Sequence, residues 1–263
     1  MSNIILEYIQ NELGFEIAKL TINRPDQLNA LNLDTIDEIG VALDELGANQ
    51  KVRALIITGA GEKSFAAGAD ITQIAELTEK TGYELSKKGN AVFSKLAEVS
   101  FPTIAVVNGF ALGGGCELAI SCDIRLASEN ASFSLPEVNL GVCPGWGGTQ
   151  RFARLIGTGH ASELLFSAGR IDANQAEKIG LVNQVYPAEK LMEEALKLAG
   201  KIGKMAPLAV ATIKQAMYEG IQKPLQEGLE IEAKGFSKLF NTADAKGGLQ
   251  AFLNKEKYTY KGE

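Results

Sequence analysis

The chain of 263 residues has a single histidine, His160. That excludes histidine-rich metal sites, and no metal centre is expected. It also leaves a Ser-His or Cys-His hydrolase no base other than His160 itself. Cysteine is scarce too. Cys116, Cys122 and Cys143 are odd in number and cannot all pair within the chain. They read as reduced thiols in a reducing compartment. The longest apolar runs, such as residues 104–107, fall far short of the roughly 18–20 residues that a membrane span needs. The N-terminus, MSNIILEY, has no basic region and no long apolar stretch. No signal peptide is therefore expected, and the cytoplasm is the expected compartment. No block of five or more like charges occurs, and 26 basic residues face 32 acidic ones for a net charge of −6. With no basic stripe, nucleic acid is not an expected partner.

What is present is ordinary globular material, 46% hydrophobic and 22% charged. The length allows one large domain, or one domain with an appendage. Residues 4–9 and 15–22 read as a hairpin around 11–14, because 17, 19 and 21 alternate with 18, 20 and 22. Asp34 is expected to cap a helix through Leu46, with Ile36, Ile39, Leu43 and Leu46 as its apolar stripe. Residues 54–58, 103–107 and 123–127 read as short buried strands. Residues 71–98 carry helical spacing, with a break expected near Gly82. Buried strands between helices imply a mixed α/β class with a largely parallel, helix-covered sheet. From residue 188 onward the pattern is helix only, over 188–204, 207–220, 224–240 and 243–255. We therefore expect an α/β core over 1–200 and a helical region over 201–263, the latter suited to self-association.

Glycine is abundant, at 28 residues against a usual share of ~7%. Three segments concentrate it beside chemistry. Residues 64–70, Ser-Phe-Ala-Ala-Gly-Ala-Asp, join a buried strand to a helix and can expose N–H donors. The plainer reading is a tight turn with Asp70 as a helix cap. Residues 108–117, Asn-Gly-Phe-Ala-Leu-Gly-Gly-Gly-Cys-Glu, place three glycines at a helix start, which shape alone seldom requires. The N–H groups there suit a developing negative charge, and Glu117 stands one turn away. Neither the dinucleotide spacing nor a phosphate-loop lysine is present. Residues 134–151 hold Glu137 between a proline and apolar residues, ahead of a second glycine-rich helix start. Such surroundings raise a carboxyl pKa and suit a proton donor; a surface glutamate in a loop is the plainer alternative. Two oxyanion-type turns with two carboxylates suit proton transfer beside a polarised carbonyl.

Asn23-Arg24-Pro25 with Leu28-Asn29-Ala30, then Phe65–Asp70, 108–123 and 136–151, resemble in order and spacing the crotonase, or enoyl-CoA hydratase/isomerase, family. The resemblance spans essentially the whole chain and is strongest to bacterial short-chain hydratases and 3-hydroxybutyryl-CoA dehydratases. It implies a crotonase-type spiral of ββα units with a C-terminal helical trimerisation region, assembled as a homotrimer or dimer of trimers. It implies reversible syn hydration of trans-2-enoyl-CoA, with no cofactor because coenzyme A is part of the substrate. By the same resemblance, Ala69 and Gly114 supply the oxyanion N–H groups and Glu117 and Glu137 are the catalytic pair. Gly145 helps to hold the water from a helix start. Arg24, Leu28, Ala67, Ala69, Asp70 and Ile71 meet the acyl-CoA, with Lys255 and Lys257 reaching a neighbouring subunit's ligand. A hydratase for cyclic or branched enoyl-CoA and a Δ3,Δ2-enoyl-CoA isomerase are the alternatives. Asp26 and Thr72 stand where many relatives carry lysine. Leu135 stands where many carry glutamine, and is expected to make the surroundings of Glu137 more apolar. Trp146 is bulkier than usual, and either reshapes the acyl pocket or packs the helix start. Residues 72–90 are expected to shape that pocket.

Overall fold

The alternation in residues 15–22 becomes a hairpin. In the computed structural model, which describes residues 2–263, β1 (Ile4–Gln10) lies antiparallel to β2 (Glu16–Ile22). The chain continues through α1 (Leu33–Ala48), β3 (Val52–Gly59), β4 (Ser64–Ala67), α2 (Ile71–Ile74) and α3 (Glu79–Glu98). Next come β5 (Thr103–Val107), β6 (Phe110–Leu112), α4 (Gly114–Ser121), β7 (Ile124–Ser128) and β8 (Ser132–Ser134). Then follow α5 (Gly148–Ser167), β9 (Arg170–Asp172), α6 (Ala173–Lys178) and β10 (Gln184–Tyr186). The helices α7 (Ala188–Gly203), α8 (Pro207–Gly220), α9 (Leu225–Leu239) and α10 (Ala243–Asn254) complete the chain.

Two sheets form. The larger has the order β1-β2-β3-β5-β7-β10 and is parallel from β2 onward. Residues 54–57 of β3 and 104–107 of β5 are continuous apolar runs because both faces of the sheet are covered there. Successive residues go to opposite sides. Leu55, Ile57, Ala105 and Val107 pack with Ile36, Ile39 and Leu43 of α1 and Phe93 of α3, whereas Ala54, Ile56, Ile104 and Val106 pack with Leu191, Ala195 and Ala199 of α7. The smaller sheet, β4-β6-β8-β9, is parallel except at β9. The chain thus makes the same excursion three times. A long strand of the large sheet is followed by a short strand of the small sheet, and then by a helix.

Three local expectations need correction. The cap of α1 is Asn32, not Asp34: Asn32 Oδ1 accepts from the Thr35 N–H at 2.8 Å, and Asp34 lies within the first turn. The break in residues 71–98 falls at 75–78, not at Gly82. Thr78 and Thr81 cap α3 reciprocally, and Gly82 sits inside the new helix. Helix α4 begins at Gly114 rather than after the glycines. Shape does demand all three. Gly113 takes φ +48°, a side chain on Gly114 would strike the Trp146 ring, and one on Gly115 would strike the backbone of Ala66 in β4. The small-sheet strands and α6 had no signal in the alternation, being three or four residues long or too short to show a period.

A buried ion pair fastens α8 to the core. Lys214 Nζ lies 2.8 Å from Asp123 Oδ2 and donates to the carbonyls of Leu96 and Phe101. Asp123 also accepts from Tyr218 Oη at 2.8 Å and from the Thr103 N–H at 2.7 Å. Burial drives the Lys214 ammonium below its ordinary range, and Asp123 opposes that shift. Lys214 is 6% exposed, so removing it strands a buried carboxylate. Lys214→Ala is expected to destabilise the fold by about 3–5 kcal/mol in urea titrations at fixed protein concentration. Pairing it with Asp123→Asn should recover part of that loss.

Candidate active site

Ala67, Leu112 and Ser134 stand in register at the ends of β4, β6 and β8. Because these strands are parallel neighbours, the residues that follow them emerge side by side. Gly68 (φ +89°) and Gly113 (φ +48°) turn two of the three exits. The exits touch: a Cβ placed on Gly113 would lie 2.7 Å from Glu137 Oε1 and 3.5 Å from Gly68 Cα. One placed on Gly114 would lie 3.6 Å from the Ala69 nitrogen. Among the described residues, neither the Ala69 nor the Gly114 N–H has a hydrogen-bond acceptor in the chain. Two free backbone donors therefore stand together, one of them at the positive end of α4.

Glu117 lies one turn along α4 and is 2% exposed. Its Oε1 accepts from the N–H groups of Trp146 at 2.7 Å and Gly148 at 2.8 Å. Burial pushes its pKa up to about 7. The Gly148 N–H opposes that rise, the charge of Glu137 adds to it, and the Trp146 N–H and Arg151 oppose it. Glu137 opens a 3-10 turn, Glu137–Leu140, and is half-buried. Its Oε2 is buried without a hydrogen-bond partner, and burial raises its pKa as well. Both carboxyls thus hold protons more tightly than free glutamate. Beside Ala69 and Asp70 opens a cavity of about 270 Å³, walled by Leu31, Ile74, Leu77, Leu85 and Trp146. Most of its wall comes from residues 72–90.

A family model for enoyl-CoA hydratase/isomerase matches residues 12–263. The chain belongs to this family. It is 48% identical over 257 residues to a short-chain-enoyl-CoA hydratase of Clostridium acetobutylicum, covering 98% of this chain and 97% of that one. It is 47% identical over 258 residues to a crotonyl-CoA hydratase of Syntrophomonas wolfei, with the same coverage. The fold is similar to that of an enoyl-CoA hydratase from Bacillus anthracis, with a TM-score of 0.94 and 39% identity over 99% of this chain and 100% of that one. The crotonase-type architecture expected from the sequence is therefore the fold of this chain.

The other residues singled out on grounds of family resemblance divide into those brought to the site and those left apart. Arg24, Leu28, Ala67, Asp70 and Ile71 are gathered at one edge. Leu31 bridges to Ala69, and the Ala67 N–H donates to the Leu28 carbonyl. Leu28 and Ile71 are exposed there. Arg24 is not a free cation: it donates to the Ala30 carbonyl, sits 3.4 Å from Asp70 and keeps 13% of its side chain exposed. Asp70 also caps α2, accepting from the Thr72 hydroxyl at 2.7 Å, so the plain reading of a turn with Asp70 as a helix cap holds. That bond accounts for a threonine at 72. Asp26 is in the short turn Pro25–Gln27. Gly145 is three residues ahead of α5, not at its start, and its carbonyl accepts from Ser86 and Asn90. The N–H groups on Glu117 belong to Trp146 and Gly148. Leu135 packs toward Gly148, beside the Glu117 contact, rather than serving only Glu137. Trp146 is 5% exposed and meets Phe93 edge to face, so it both packs the loop and walls the cavity. Lys255 caps α10 at φ +60°, and no hydrogen bond or ion pair of the described residues joins it to this edge. His160 is exposed beyond the Gly157 kink in α5. Cys116 and Cys122 are buried and Cys143 is exposed.

The sequence reading gave no role to Asn29 and Asn108. Asn29 donates to the carbonyls of Ala60 and Ser64 and accepts from the Arg24 N–H. Asn108 donates to the carbonyls of Gly59 and Gly61. Together they hold the crossover from β3 to β4 that delivers Ala69. Only their position inside the motifs that carry the family resemblance marked them. Among the described residues, no cluster of three or more His, Cys, Asp or Glu side chains forms a metal site.

The raised pKa of Glu117 has a stability consequence. The folded state binds its proton more tightly than the unfolded chain, so its unfavourable contribution is absent below the ordinary glutamate pKa and grows as pH rises toward about 7. Glu117→Gln keeps an oxygen for both N–H donors. It is expected to be more stable than the parent at pH 8, by on the order of 1–3 kcal/mol, with the gap closing toward pH 4. Thermal melts across that range measure it.

Proposed function

We propose that this chain is an enoyl-CoA hydratase that adds water, reversibly and syn, to trans-2-enoyl-CoA thioesters with short acyl chains. The observation that carries the reading is the pairing of Glu117 and Glu137 beside the free N–H groups of Ala69 and Gly114. The thioester oxygen accepts both N–H bonds. Negative charge grows on that oxygen as the double bond is attacked, and each donor in such a hole contributes ~10²–10³ in rate. Glu117, ionised and clamped through Oε1, takes a proton from water as the hydroxyl adds to C3. Glu137, protonated, gives its proton to C2. Atoms balance as one water added, and the pair then exchanges its proton with solvent for the next turnover. A Glu117 pKa pushed up to about 7 suits a group that takes up and releases a proton near neutrality. The similarity to a short-chain-enoyl-CoA hydratase and to a crotonyl-CoA hydratase supports the short-chain assignment.

The acyl-CoA runs along Arg24, Leu28, Ala67, Ala69, Asp70 and Ile71. Backbone groups and the apolar rim of Leu28 and Ile71 do most of the holding, because Arg24 is engaged with Asp70. No separate cofactor takes part. The chain self-associates through 201–263 as a homotrimer or dimer of trimers, a reading supported by exposed Ile221, Leu225, Phe236 and Phe252. Lys255 then serves the ligand of an adjoining subunit. Three unpaired cysteines support a cytoplasmic setting.

Loss of enoyl-thioester absorbance on mixing the purified protein with crotonyl-CoA is the decisive assay. Rapid loss is expected in the parent and is expected to be abolished by Glu117→Gln; a parent that leaves crotonyl-CoA and longer enoyl-CoAs untouched refutes the reading. Glu137→Gln should fold as the parent does and lose about 10³-fold or more in turnover, since general acid catalysis contributes ~10²–10⁴. Near-parental turnover there would remove Glu137 from the acid role.

A further inference from the structure

The loop that clamps Glu117 is itself held from the other side. Helix α3 carries Ser86, Asn90 and Ser94 one turn apart on a single face. Ser and Asn are weak helix formers, so a stripe of them along a partly buried face is not there for helicity. Ser86 Oγ donates to the Gly145 carbonyl at 2.5 Å, and Asn90 Nδ2 donates to the same oxygen at 2.9 Å. The Arg151 guanidinium donates to the Trp146 carbonyl at 2.9 Å and to Ser94 Oγ at 3.0 Å. Between the polar rungs, Gly89 leaves no room for a side chain beneath the Trp146 ring, and Phe93 meets that ring edge on.

A peptide unit is rigid, and its C=O and N–H point in opposite directions. The Gly145 carbonyl and the Trp146 N–H belong to one such unit. Fixing the carbonyl on Ser86 and Asn90 therefore aims the N–H at Glu117 Oε1, where it is found at 2.7 Å. We propose that Ser86, Asn90 and Ser94, together with Arg151, are positioning residues that set the orientation of the Glu117 carboxylate through loop 145–148. They touch neither the free N–H donors nor Glu137. Ser86, Asn90 and Ser94 act through the loop alone, and Arg151 adds the direct pull of its charge on Glu117.

The charged and titratable groups facing Glu117 are few. Glu137 comes from the 3-10 turn, Arg151 from α5 and the Cys116 thiol from α4. Of the four lysines of α3, Lys88 pairs with Asp37 and Lys95 with Asp44. Losing an N–H bond to the ionised carboxylate raises its pKa further.

The test rests on the hydratase reading for its kinetic arm only. In Ser86→Ala/Asn90→Leu, kcat on crotonyl-CoA is expected to fall ~10–100-fold, the scale of a misplaced catalytic group. KM should stay within ~3-fold, since ground-state binding is untouched. The limb of the kcat–pH profile set by Glu117 should move to higher pH. Ser86→Thr, which keeps the hydroxyl, should retain most of the activity that Ser86→Ala loses. Trp146 is the chain's sole tryptophan, so its emission reports the loop directly. A red shift and stronger acrylamide quenching are expected in the double variant, with helix content unchanged. Parental kcat, a change confined to KM, or equal losses in Ser86→Thr and Ser86→Ala would overturn the proposal. If the parent hydrates no enoyl-CoA, the hydratase reading fails by itself, and the Trp146 emission still decides the positioning role: unchanged emission overturns it.

Discussion

The buried oxygen Oε1 of Glu117, held by the backbone N–H groups of Trp146 and Gly148, is the contact around which the rest of the site is arranged. Taking a carboxylate out of water favours its neutral form, and donating hydrogen bonds favours the charged one. The opposition leaves a group that titrates near neutrality instead of one locked in either state. Each supporting feature follows from that requirement. Gly147 takes φ +105° so that the loop can present its N–H groups on one side. Leu135 and Trp146 are buried beside that contact, and Arg151 neutralises part of the field while holding the loop.

Repetition in the chain path supplies the remaining groups. Three successive excursions end on three parallel strands in register, at Ala67, Leu112 and Ser134. One turn gives the Ala69 N–H, the next gives Gly114 and Glu117, and the third gives Glu137. Each excursion is built from strand, turn and helix start, and helix starts carry unsatisfied N–H groups by construction. The catalytic potential is thus a by-product of stacking the same unit three times at one edge. The glycines at 113–115 serve that stacking as much as the chemistry, because the exits touch where a β-carbon would stand.

Two further interactions keep the edge and the tail in place. Arg24 ties residues 24–30 to Asp70, and so keeps the ligand edge closed over β4 at the expense of a free positive charge. Lys214 and Tyr218 converge on Asp123, so α8 is fastened where β5 starts and α4 ends. The helical region is in this way connected to the helix that bears Glu117.

Short-range physics made much of this legible in the residues. The β1–β2 hairpin, the apolar stripe of α1, the buried runs of β3 and β5 and the C-terminal helices follow from periodicities that operate over a few residues. The motifs around Ala69, Gly114, Glu117 and Glu137 were legible as glycine-rich turns beside carboxylates, and their order carried the family. Two helix starts were set by side chains only three residues apart, a choice that spacing alone leaves open. Asn32 displaced Asp34 as a cap because its side chain meets Thr35, and the break before α3 moved because Thr78 and Thr81 bond to each other. Strands of three residues have no period to read; they exist because neighbours in register complete their hydrogen bonds. The carbonyl of Gly145 gave no signal in the residues, because what meets it is α3, some 55 residues earlier. Residue types and local spacing thus determined which groups the site contains. The register of β4, β6 and β8 and the direction of one peptide plane, both fixed by contacts across the fold, decided where those groups point.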